Sequence, residues 1–96
     1  MKLPLRFRIL HLLSQEHSLS EREVMDHLES EYGNEGQFIK SNFENHLESM
    51  RAVGMVEPTE ATIDAKGKLQ QKYKITDYGR QRLSYLPKNI NNSISM

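Results

Sequence analysis

The residue types that usually catalyse are wrongly spaced in this chain, so its chemistry has to be sought among hydrogen-bonding and cationic side chains. The four histidines, His11, His17, His27 and His46, include no pair at the i, i+4 separation by which one helix face holds a metal ion. Ser14, Ser18 and Ser20 lack the strand-turn-helix elbow of a nucleophilic serine. Gly33 and Gly36 flank Asn34-Glu35 as a turn, with no lysine-serine pair to make a phosphate loop. Cysteine is absent, which excludes a disulfide framework and a thiolate metal site. The methionines fall at core positions and chain ends, which suits packing. The sequence therefore predicts no enzyme, no catalytic residue, no metal and no cofactor. Two polar runs are left. Gln37, Lys40, Ser41, Asn42 and Asn45 gather amide, hydroxyl and ammonium groups in one stretch, and Lys66, Lys68, Lys72 and Lys74 crowd another. Such groups make hydrogen bonds and neutralise anions.

These residues are positioned by elements that the pattern of apolar residues outlines. Pro4 suits a first helical turn, and Leu5, Ile9, Leu12 and Leu13 follow on one face, predicting helix one over about 4–15. Ser18-Leu19 is a short link expected to pair as a strand of one or two residues. Ser20 and Glu23 form a capping box ahead of the stripe Val24, Met25, Leu28 and Tyr32, which is helix two. The turn at 33–36 leads to helix three, about 37–53, with Ile39, Phe43, Leu47, Met50 and Val53 turned inward and Gly54 ending it. A strand over 55–63 carries Pro58, which demands an edge or a bulge. Residues 64–68 are a hairpin tip, and 69–75 returns as the partner strand, with Tyr73 and Ile75 alternating with Lys72 and Lys74. Thr76 and Asp77 then cap a last helix, in which Gly79 would let a neighbouring backbone come close.

Length and charge bound the possibilities. At 96 residues the chain has room for one small core and none for a deep enclosed active site, so a binding module is expected. No apolar run reaches the length of a membrane span and no signal-peptide core opens the chain, so a cytoplasmic protein with no membrane association is expected. Formal net charge is zero but unevenly laid out. Residues 1–15 have three bases and no acid, residues 16–63 three bases against eleven acids, and residues 64–96 seven bases against two acids. Such a dipolar layout bears on partners more than the total does. The Asn- and Ser-rich segment 87–96 reads as a flexible polar tail behind a domain of residues 1–86.

The succession of helix, short strand, helix, turn, helix, two-stranded hairpin and closing helix resembles the winged helix-turn-helix transcription regulators, broadly of the MarR and PadR kinds. Two motifs carry the resemblance: Leu47 to Met50 followed by Val53-Gly54-Met55-Val56, like a recognition helix entering its wing, and Tyr73 to Leu83, like the strand-to-helix junction behind it. The fold implied is α+β and mostly helical, ordered α1-(β1)-α2-α3-β2-wing-β3-α4. The function implied is a small DNA-binding regulator whose third helix reads base edges in the major groove while the wing touches phosphates.

On that basis Gln37, Lys40, Ser41, Asn42 and Asn45 are expected to make base or backbone contacts, and Lys66, Lys68, Lys72 and Lys74 to meet phosphates. Arg6 and Arg8 would add backbone contacts if helix one ran near the groove. Glu44 and Glu48 share the outward face and oppose phosphate binding. That keeps open a second expectation, a winged-helix protein-interaction module whose acidic middle meets a basic partner. Leu3, Phe7 and Leu10 on helix one, and Tyr78 and Tyr85 on the last helix, form second apolar faces, from which a homodimer is expected.

Overall fold

The structure, a computed structural model, describes residues 4–36 and 38–85. The chain runs α1 (Leu5–Gln15), β1 (Leu19–Ser20), α2 (Glu21–Tyr32), α3 (Lys40–Ala52), β2 (Val56–Ile63), β3 (Leu69–Ile75) and α4 (Asp77–Leu83). The three strands form one antiparallel sheet in the order β1-β3-β2, with Leu19 opposite Tyr73 and Val56 opposite Ile75. β2 is thus an edge strand, and its register slips between Pro58 and Ala61. Proline has no N–H for a ladder, and here it occupies the place where the ladder is interrupted.

Local chemistry sets the helix ends. The Ser20 hydroxyl accepts from the Glu23 N–H at 3.2 Å, and the Glu23 carboxylate accepts from the Ser20 N–H at 2.9 Å, completing the capping box of α2. At the end of α3, Gly54 adopts φ +84°, the Met55 N–H reaches back to the Met50 carbonyl at 2.8 Å, and the Gly54 N–H reaches Arg51 at 3.1 Å. This is a Schellman closure, which only glycine enters without strain. Thr76 caps α4 by accepting from the Gly79 N–H at 3.0 Å, while its own hydroxyl donates to the Gly54 carbonyl at 2.6 Å. One threonine therefore starts α4 and fastens it to the end of α3.

The core lies where α1, α2 and α3 meet the inner face of the sheet, around Ile9, Leu13, Val24, Leu28, Phe43 and Met50, all fully buried. Each such side chain stabilises the fold by about 1.5–3 kcal/mol relative to exposure. Three sequence expectations are corrected. Helix three begins at Lys40; Ile39 precedes it in extended conformation and is 51% exposed, its place toward the core taken by Phe38, which packs edge-on against Phe43 at 5.3 Å. Val53 caps the other end and is 59% exposed, because the chain has already left the helix there. Leu10, expected on a second, free face of α1, is fully buried in the common core. Helix one packs against both β3 and α4, so its two apolar sides are both covered within the domain, apart from a half-buried Phe7. Leu3, Gln37 and the segment 87–96 lie outside the described residues.

Candidate nucleic-acid interface

With Phe43, Leu47 and Met50 turned to the core, the opposite side of α3 presents Ser41, Asn45, Glu48 and Ala52, all exposed. Their separations of four, three and four residues keep them on one stripe of a helix with 3.6 residues per turn. Asn42 lies to one side of this stripe and is half-buried. On the other side Lys40, Glu44 and Glu48 face the wing across a cleft of about 190 Å³, walled by Leu69, Gln71 and Tyr73.

Lys40 is not free on this surface. Its ammonium sits 3.5 Å from Glu21 of α2 and donates to Glu44 one turn along its own helix. The hydrogen bond from Lys40 holds the Glu44 carboxyl below the usual carboxylate range, and the same bond raises the Lys40 ammonium. Glu21 moves upward instead, because burial outweighs the attraction of Lys40. The acids of the outward face are thereby reduced. Glu44 is neutralised by Lys40, and Glu48 alone stands without an ion pair among the described residues.

The wing lysines divide by position. The Lys72 ammonium lies 3.6 Å from Glu23, whose carboxylate also holds the start of α2, so Lys72 ties β3 to the capping box and its side chain is only 25% exposed. The hydrogen bond from the Ser20 N–H, ahead of the Lys72 charge, keeps the Glu23 carboxyl below its ordinary value. Lys74 pairs at 3.2 Å with Glu57, its cross-strand partner. Lys66 and Lys68 occupy the tip. There Gly67 takes φ +79°, and Asp64 turns its carboxylate inward to accept from the N–H groups of Lys66 and Lys68, both at 2.9 Å. Those bonds, led by the one from Lys68, lower the Asp64 carboxyl. The two lysine side chains of the tip make no ion pair among the described residues. They line a groove of about 550 Å³ whose far wall is α2, with Arg22, Met25, Asp26 and Glu29, and which reaches Phe38 and Lys40 at the start of α3.

Arg6 and Arg8 do not add to this surface. The Arg8 guanidinium makes a two-pronged contact with Glu31 at 2.9 and 3.0 Å, with its side chain 12% exposed, and Arg6 donates to Nδ1 of His46 at 3.2 Å. They join helix one to helices two and three. Arg51 is a cation that the sequence did not single out. It is exposed near the end of α3, with no ion pair among the described residues. Its signal was present in the sequence: it stands seven residues after Glu44, on the wing side of the helix.

A helix-turn-helix followed by a two-stranded wing and a closing helix defines a winged helix-turn-helix domain. PadR of Bacillus subtilis, solved in complex with operator DNA, shares the fold at a TM-score of 0.69 and 25% identity over 83% of this chain. A Thermoplasma acidophilum protein described as a transcriptional regulator (TM-score 0.69, 21% identity, 94% of this chain) and a PadR-like transcriptional regulator of Bacillus cereus (0.66, 23%, 96%) share it too. The chain spans 82% of each of these two proteins but 44% of the Bacillus subtilis PadR. No protein-family model and no curated protein sequence matches the chain. No helix among the described residues is long and apolar enough to cross a membrane.

Proposed function

We propose that this chain is a DNA-binding transcriptional regulator that inserts α3 into the major groove and rests the tip of its wing on the phosphate backbone. The observation that carries the proposal is the adjacency of two unlike surfaces. A polar helix face suits base edges, and the unpaired Lys66 and Lys68, which share a groove with Lys40 at the start of that helix, suit phosphates. The operator complex of the Bacillus subtilis protein with the same fold supports it. Lys40, Lys72 and Lys74, each ion-paired, would act mainly by holding the two elements together. Ser41 and Asn45 would meet bases, and Arg51 the backbone. We also infer a homodimer, resting on Tyr78 and Tyr85 at the α4 end, 47% and 66% exposed, and on the half-buried Phe7 of α1. A two-fold pair would match an operator of two half-sites.

Titration with a short duplex over a range of salt concentrations tests the proposal. Each phosphate contact contributes about 0.9 to the slope of log K against log salt. Replacing Lys66 and Lys68 with alanine is expected to lower that slope by about two contacts' worth, roughly 1.8. Absence of any salt-dependent binding to duplex DNA would rule the proposal out and favour the protein-interaction module, whose partner would be basic. Sedimentation of the wild type against Tyr78→Ala/Tyr85→Ala tests the dimer, and an unchanged monomeric mass in both would remove it.

A further inference from the structure

The exposed stripe of α3 has an order that goes beyond a generic polar face. Ser41, Asn45, Glu48 and Ala52 present, in sequence, a hydroxyl, an amide, a carboxylate and a methyl group. The neighbouring ions do not blur this pattern. Lys40 and Glu44 satisfy each other at the wing-side margin, and Asn45 and Glu48 have no hydrogen-bond or ion-pair partner among the described residues. A carboxylate left unpaired at the wing-side edge of a surface that approaches a polyanion is unfavourable for indiscriminate binding. It becomes favourable only where it meets a donor on a base.

In the major groove that donor is the exocyclic amine of cytosine, whereas a side-chain amide matches adenine through its N6 and N7 atoms, and a methyl group packs on the thymine methyl. Resting on the DNA-binding function proposed above, we propose that this stripe is the specificity-determining element. Glu48 selects a cytosine and Asn45 an adenine in each half-site. Residues 45 and 48 are about 4.5 Å apart along the helix axis. That is between one and two base-pair rises of about 3.4 Å, so the two bases belong to neighbouring or next-neighbouring pairs. Glu48 acts in the negative sense as well, since its charge penalises every duplex that offers no donor there.

Selection of bound duplexes from a randomised pool, with wild type, Glu48→Ala, Glu48→Gln and Asn45→Ala in parallel, decides the matter. The wild type is expected to enrich a cytosine and an adenine within two base pairs of each other. Glu48→Ala is expected to lose the cytosine preference, roughly 5- to 150-fold for a good base contact, while binding unrelated duplexes more tightly than the wild type. Glu48→Gln is expected to move the preference at that position from cytosine toward adenine, and Asn45→Ala to lose only the adenine. Base preferences unchanged by Glu48→Ala, in a protein that still binds duplex, would overturn this inference alone. Failure of the wild type to retain any duplex at low salt would overturn the DNA-binding function and this inference with it.

Discussion

At Gly79 a Cβ would lie 2.2 Å from the Met55 carbonyl oxygen and 2.7 Å from Cγ1 of Ile75, distances at which the backbone has to move. That close approach is what lets the Thr76 N–H bond the same Met55 carbonyl at 3.0 Å and the Thr76 hydroxyl reach Gly54. Gly79→Ala is therefore expected to destabilise the domain by about 1–3 kcal/mol, the usual cost of overpacking. The shift of the urea midpoint measures it, and an unmoved midpoint would mean that α4 can slide away freely. Ser20→Ala is a milder case. It deletes the oxygen that accepts from the Glu23 N–H, an expected loss of about 1 kcal/mol. The Glu23 carboxylate would still receive the backbone N–H of residue 20 and the Lys72 ammonium, so the junction of α2 with β3 should survive.

Between elements, the wing works as two parts. Its base is an ion-paired joint in which Lys72 meets Glu23 and Lys74 meets Glu57, and its tip is a preformed loop with Lys66 and Lys68 projecting from it. Single alanine variants should separate the parts. Lys66→Ala and Lys68→Ala are each expected to lower the salt slope of duplex binding by about 0.9, whereas Lys72→Ala should leave it nearly unchanged. An equal drop for all three would show that Lys72 leaves Glu23 when DNA arrives. The contrast also marks what was legible in the sequence. Caps and breaks are written locally, so Ser20 with Glu23, Gly54, Pro58 and Thr76 could all be read from a few neighbouring residues. Pairings across elements leave no such trace. Lys40 with Glu21, Lys72 with Glu23, and Arg8 with Glu31 join distant positions, so the sequence shows these cations without the acids that they meet. The same blindness put Leu10 on an outer face, because a helical wheel does not say how many sides of a helix the fold will cover.

Across the whole molecule, helix one is held to its neighbours by Arg6, which meets His46 of α3, and by Arg8, which meets Glu31 of α2 and His11 of its own helix, and the two histidines should make the fold sensitive to acid. Arg6 donates to Nδ1 of His46 at 3.2 Å, and Nη1 of Arg8 lies 3.3 Å from Nδ1 of His11, with Glu31 on the far side of Arg8. Burial first, and then the adjacent guanidinium, depress both imidazoles below the ordinary histidine value; Glu31 opposes this at His11 without reversing it. In the unfolded chain the same histidines titrate near their ordinary value of about 6.5. As pH falls through that value the unfolded state takes up protons before the folded state does, so stability is full above it and declines below it. The wild type is therefore expected to lose stability between pH 7.5 and pH 5.5, as followed by urea unfolding. His11→Gln/His46→Gln retains an acceptor toward each arginine but has no proton to gain, and should give a flatter profile over the same interval. Glu21, whose carboxyl is raised by burial, contributes with the opposite sign, but near the carboxylate range and so below this window. Equal slopes for wild type and double variant would remove the histidines as the cause and leave the acid response to the carboxylates.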